Sequence, residues 1–460
     1  MATPNCWRCL ARPSQRLLRP TAIAIPTASA PFSTSAAQLA KDDNSATRHV
    51  KAGKRLVLGK KKKRPDQGKP VGPGERKAFR KRIQLSNDNA LEVPGLEQLN
   101  AQDLVDPSAV GTMVGLPDQL IDQLRATEAF KPTQNWGLFR SPHMLIRQET
   151  VHLLKDITEK ISQKQTVRTV ITGEKTSGKS ILALQALCAG FLNKYVVINI
   201  PEGQDLTTAH TEYQEIPKSD QFSQPVYLLK LMQTIAETNR EVLSQQFIKG
   251  DHIHLPFNAP RSMSLASLLT ATKENDFAWP TFLAWWQELL LPGRPPILFN
   301  LDGLSHIMRV SDYRSPAFKL IHSHDLALLK LFTEALGGKT KFANGAAIIG
   351  TMTKSNCPKL PSVEKALEQA SAAQAGQQIP PRDPFFAKYD DRVFDALKGV
   401  SVFDVKGVSK AEARALMEYW AASGVLRMRV DERNVSERWT LAGNGVLGEM
   451  ERTSLYAVRL

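Results

Sequence analysis

Eight residues in the middle of the chain could hold a phosphate. Gly173-Glu174-Lys175-Thr176-Ser177-Gly178-Lys179-Ser180 sets a lysine and a hydroxyl directly after the second of two glycines, the spacing G-x-x-x-x-G-K-[ST]. Glycines at those positions let the backbone wrap until successive N–H groups converge on an anion. Lys179 is then placed to neutralise the β- and γ-phosphates and Ser180 to offer its hydroxyl to Mg²⁺. A second candidate is Asp302, which ends the apolar run Pro296-Ile-Leu-Phe-Asn-Leu-Asp302. It is expected to meet Mg²⁺, directly or through water, opposite Ser180. Gly303, Leu304, Ser305 and His306 follow it. No general base adjoins Asp302, so fast hydrolysis is not expected and no catalytic residue is assigned. His306 is expected at the surface. Hydroxyls at Thr351, Thr353 and Ser355 are placed to sense a γ-phosphate. Thr353-Lys-Ser-Asn356 echoes a guanine-reading box, but an amide stands where that box needs a carboxylate to accept two guanine N–H groups. The base stays open between GTP, GDP and ATP.

Such a loop works only between a strand and a helix. Val167 to Thr172 is rich in β-branched residues and reads as a buried parallel strand. Ile181, Leu182, Leu184, Leu187, Cys188, Phe191 and Leu192 then recur at helical spacing. Three more apolar strands are predicted at 195–200, 296–302 and 346–353, separated by helices over 225–246, 265–275, 280–291 and 325–336. Strands and helices in alternation imply an α/β domain over 136–360: a parallel sheet with helices on both faces and the ligand at the strands' C-terminal ends. Residues 87–135 read as an irregular, partly helical lead-in. Residues 361–384, rich in Ala, Ser, Gln and Pro, read as a linker or insertion. In 385–460, Ser409-Lys-Ala-Glu412 is a capping box opening a helix to about Ala422. Strands expected at Val425–Val430 and Arg438–Leu441 would make this a small winged-helix-like domain. Arg414 or Arg438 could approach a γ-phosphate from it, though surface ion pairing is the simpler role.

The remaining chemistry is weaker. His252 with His254 and His322 with His324 lack a third ligand at metal spacing. Trp279, Trp285 and Trp286 read as core. Cys6 and Cys9 lie in an N-terminal stretch with spaced arginines and no acid. Residues 1–33 have the composition of a mitochondrial transit peptide. Residues 34–86 form a basic arm, predicted disordered. Within 41–82 there are 16 lysines and arginines against four acids, so most of the net charge of +15 lies at this end. With Phe79 as its one aromatic, such an arm would bind RNA by neutralising phosphates rather than by stacking on bases. A hydrophobic content of 42% in 460 residues excludes a wholly disordered protein, and four cysteines exclude a disulfide scaffold. No apolar run approaches the ~18 residues of a membrane span, so no membrane insertion is expected.

Taken together, residues 135–460 resemble the death-associated protein 3 family, as a fungal-type member. The resemblance rests on Gly173–Ser180, on Ile200-Pro201-Glu202, on Gln224-Pro225 and on Leu301-Asp302-Gly303. It extends to the C-terminal Thr440-Leu-Ala-Gly-Asn-Gly and Leu447-Gly-Glu-Met-Glu451. It implies an AAA+-like P-loop fold and a structural component of the mitochondrial small ribosomal subunit holding GTP or GDP with Mg²⁺. Its partners would be the small-subunit rRNA and ribosomal proteins, near the contact with the large subunit, in support of mitochondrial translation. The alternative is an active matrix AAA+-type NTPase.

Overall fold

β-branched and aliphatic runs bounded by glycine and proline become the strands of the central sheet. In the computed structural model, which describes residues 83–456 except 356 and 358, these are β1 (Thr166–Gly173), β2 (Val196–Ile200), β3 (Ile297–Asp302), β4 (Ala346–Thr351) and β5 (Ser401–Val405). The targeting segment expected at 1–33, and the basic arm as far as residue 82, lie outside the described residues. All five strands are parallel, in the order β5-β1-β4-β3-β2. Thr351 of β4 is in register with Asp302 of β3 and with Ile171 of β1, so the loop after β1 and the acid ending β3 emerge on either side of one strand end.

Alternation along the strands feeds two apolar layers. Val170, Ile198, Phe299 and Ile348 face one layer with helices α3 (Pro225–Thr238), α4 (Asn275–Leu290) and α5 (Ala327–Leu336), where Phe282, Trp285 and Phe332 are fully buried. Ile171, Val197, Leu298 and Ile349 face the other with α1 (Gln148–Ser162) and α2 (Lys179–Leu192). Trp285 and Trp286 of α4 are core, and Trp279 is partly buried against the core. None of the described helices is long and apolar enough to cross a membrane.

The helix expected over 225–246 is interrupted at Asn239, which is recruited elsewhere, and resumes over Arg240–Leu243. The Asn239 amide oxygen accepts from Val197 N at 2.7 Å and its amide nitrogen donates to Val197 O at 3.0 Å, covering the edge strand β2. The stretch expected as a linker or insertion, 361–384, is largely helical. Pro361 opens α6 (Pro361–Gln374), and the alanine-rich run propagates it while Val363 and Ala366 pack on the core. Only 375–384 is irregular.

The winged-helix expectation also fails. The capping box does open α7 (Lys410–Ala422), with Ser409 and Glu412 bonded reciprocally. Residues 425–430, however, form no strand, and Arg438 lies inside α8 (Glu432–Leu441), where Asp431 caps Asn434 N. The Asp431 cap starts a helix across the segment expected as the second strand. Nor is 385–460 a separate module: β5 comes from it and pairs with β1 from Ser401↔Thr169 to Val405↔Gly173. Its third apolar cluster, around Met417, Trp420 and Met450, includes Phe139 and Leu145 from ahead of the sheet.

Candidate functional site

Between β1 and α2 the chain turns tightly. Gly173 and Gly178 both have positive φ, 140° and 98°, and Gly178 caps α2. Lys179 is buried and folds back on the loop, donating to Gly173 O at 3.2 Å and to Glu174 O. Burial pushes its ammonium below the ordinary lysine range, and Lys354 lowers it further, while Asp302, Asp404 and Glu174 oppose the shift. From behind, the buried Arg147 donates to Ser177 O at 3.1 Å and to Lys406 O at 2.8 Å, fastening the loop to the segment after β5.

Ser180 and Asp302 meet as expected: the hydroxyl donates to Asp302 Oδ2 at 2.7 Å. A hydroxyl beside a carboxylate is a hard oxygen pair that suits Mg²⁺. The same Oδ2 also receives the ammonium of Lys131, which lies 3.5 Å from Ser180 Oγ.

These groups line one cavity of about 720 Å³. Lys175, Thr176, Ser177, Gly178, Lys179 and Ser180 contribute to its wall; Gly173 and Glu174 instead hold Lys179 through their carbonyls. Thr353 and Ser355 line it, whereas Thr351 is fully buried at the end of β4 and does not. His306, expected at the surface, is 1% exposed and lines the cavity, because the short helix Leu304–Ile307 tucks beneath the strand ends. Asn356 of the guanine-box echo lies outside the described residues. Arg414 and Arg438 do not line the cavity: Arg414 pairs with Glu418 and Glu432, and Arg438 donates to Thr453 O. His252 Nε2 lies 2.9 Å from Glu288 and His322 Nε2 2.9 Å from Asp390, each histidine beside a single carboxylate.

Sequence reasoning missed the other end of the cavity. Trp136, Phe139, His143 and Trp420 make an aromatic wall beyond the glycine loop. His143 packs on Tyr419 with ring centroids 4.1 Å apart, and Trp136 edges onto Phe130 at 5.3 Å. Glu451, from the short helix α9 (Leu447–Glu451), reaches the same chamber and accepts from Asn135 Nδ2 at 2.7 Å. Burial raises its carboxyl above the ordinary range, and the Asn135 bond opposes this. Gly448 N donates to Thr176 O at 3.0 Å, seating α9 on the glycine loop. The only sequence signal for this chamber was the aromatic cluster Phe130, Trp136 and Phe139 in a segment without helical or strand periodicity.

The sequence model of a family described as "Mitochondrial ribosomal death-associated protein 3" matches residues 144–453. The chain belongs to that family. The match takes in the glycine loop, Asp302, Trp420 and Glu451, whereas Lys131, Trp136, Phe139 and His143 of the cavity wall lie before it. Membership bears out the resemblance and the localisation expected from the sequence: the protein is mitochondrial. Small ribosomal subunit protein mS29 of Neurospora crassa is 50% identical over 468 residues, covering 100% of both chains. A protein of the same name from Schizosaccharomyces pombe is 21% identical over 364 residues, 77% of this chain and 74% of that relative. Among solved structures, a Walker-type ATPase of Pyrococcus abyssi is 13% identical, with a TM-score of 0.34, over 67% of this chain and 69% of that one. That likeness is too low to carry an argument.

Proposed function

We propose that this family member is a structural component of the mitochondrial small ribosomal subunit that holds a purine nucleotide in the cavity between the glycine loop and the aromatic chamber. The observation that carries the ribosomal reading is the full-length relative named small ribosomal subunit protein mS29. The nucleotide reading, with its AAA+-like P-loop fold, rests on a parallel sheet whose glycine loop opens into the same cavity as an aromatic wall. Phosphates would lie along Lys175–Ser180 with Lys179 as their counter-charge, and any Mg²⁺ would be held by Ser180 and Asp302. Glu451 favours guanine, GTP or GDP, over ATP: a carboxylate accepts the N1–H and exocyclic N–H of guanine, and adenine offers no such pair of donors. The basic arm would contact rRNA, with ribosomal proteins of the small subunit as further partners near the large subunit. A nucleotide bound only by the folded chain adds stability of about 2.7 kcal/mol at a hundredfold excess over Kd, reason enough to keep the site without turnover.

The test is sedimentation of mitochondrial extract, followed by mass spectrometry of nucleotide released from the purified chain. Migration with the small subunit, and a purine nucleotide lost in Lys179→Ala, support the reading; a chain absent from the small subunit overturns it. One observation favours the second reading, an active NTPase: Glu202, at the end of β2, lines the same cavity as Asp302. Turnover of about 1 s⁻¹ or faster, abolished in both Lys179→Ala and Glu202→Gln, would establish that alternative.

A further inference from the structure

The backbone around Lys131 is fixed. Phe130 before it is buried against Trp136, Pro132 follows, and Lys131 N donates to Gln134 Oε1 at 2.8 Å. From this base the side chain, 26% exposed, crosses to the phosphate loop. Its ammonium pairs with Asp302 Oδ2, the atom that also accepts from Ser180 Oγ. An ammonium is a compact point charge with three donors and no acceptor, so it takes the lone pairs that a divalent cation would need from this hydroxyl and carboxylate. The two cations cannot share that oxygen pair, because Mg²⁺ demands its ligands at about 2.0–2.1 Å in an octahedron. The remaining wall is already cationic: Arg147, Lys175, Lys179 and Lys354 line the cavity against Glu202, Asp302 and Glu451.

We propose that Lys131 is a tethered cation that excludes divalent metal from Asp302, so that a nucleoside diphosphate is retained without Mg²⁺. The proposal rests on the nucleotide reading above and goes beyond it in naming what stands beside the phosphates. Lys131 would be a positioning residue, holding Ser180 and Asp302 in the arrangement that a metal otherwise imposes.

The experiment measures the affinity of the full chain for fluorescent GDP in EDTA and in excess Mg²⁺. The wild type should change by less than about threefold, while Lys131→Met and Lys131→Gln should become dependent on Mg²⁺ by about tenfold or more. A wild type that loses about tenfold in EDTA, or variants with the wild-type ratio, would overturn the proposal. A second measurement needs no nucleotide: Mn²⁺ binding to the nucleotide-free chain by electron paramagnetic resonance. It should be about tenfold tighter in the Lys131 variants than in the wild type, and equal binding overturns the exclusion. If guanine and adenine nucleotides fail to bind under every condition, the nucleotide reading falls, and the Mn²⁺ comparison still decides whether Lys131 excludes metal.

Discussion

Asn135 donates to Glu451 Oε1 at 2.7 Å, and through that bond the lead-in before the sheet meets α9. The pair fixes the carboxylate at the cavity wall, where the proposed nucleotide reading puts the base. Glu451→Gln, which removes one of its two acceptor oxygens, should narrow the preference for GDP over ADP by about tenfold or more. Competition of each diphosphate against fluorescent GDP measures this, and an unchanged preference removes Glu451 from base recognition.

Arg147 lines the cavity and also braces the loop. Its guanidinium satisfies the carbonyls of Ser177 and Lys406, and Arg147→Met would strip both of a buried partner. Urea denaturation should register a loss of about 2–3 kcal/mol, with a parallel drop in nucleotide affinity of about tenfold as the loop loosens. Arg147→Lys keeps the charge without the fork and should recover only part of both. Full affinity in Arg147→Met would mean that the loop holds its own shape.

The aromatic wall makes stability depend on pH. His143, fully buried against Phe139 and Tyr419, has its pKa pushed down from 6.5 to about 4 by burial, with the Ser141 carbonyl bond opposing. Between those values the unfolded chain carries a proton that the folded chain refuses. Stability is therefore complete above pH 6.5 and falls as the pH drops toward 4. From pH 7 to pH 5 this one group should cost on the order of 2 kcal/mol. His324, pushed down to about 3 by burial, acts in the same direction. Denaturation of His143→Phe at both pH values should show a smaller loss than the wild type; identical losses would contradict the assignment.

Away from the cavity, Glu288 is buried with four donors: Gly250 N at 2.6 Å, Lys249 N at 3.1 Å, His252 Nε2 at 2.9 Å and Arg294 Nη2. Burial raises its pKa, but the four hydrogen bonds outweigh it and hold the carboxyl below the ordinary range. Arg294→Met leaves the carboxylate short of its charge partner and should destabilise by about 3–5 kcal/mol, whereas replacing Glu288 and Arg294 together by apolar residues should cost less. Thermal or urea unfolding of the single and double variants separates the two outcomes.

The phosphate loop was legible because glycine, lysine and hydroxyl spacing is a local property, and the strands on either side advertise themselves by their β-branched runs. Asp302 was legible for the same reason. Lys131, Arg147 and Glu451 were not: each reaches the cavity from a segment distant in sequence, and none belongs to a periodic pattern. β5 was missed because Val402, Phe403 and Val405 make too short a run to mark a strand. What makes it one is the exposed edge of β1, which lies far away in the chain. The winged-helix expectation fails because Asp431 caps a helix that runs through 438–441, where the second strand is expected.

The placement of β5 has a consequence for how the protein is made. The strand carrying the phosphate loop ends at residue 173, but its outer neighbour begins at 401. Until that late segment arrives, β1 presents a raw row of amide and carbonyl groups to whatever else is nearby. A chain cut short after α6 would keep every residue of the glycine loop yet expose a sticky border, so truncation should aggregate the protein rather than merely shorten it.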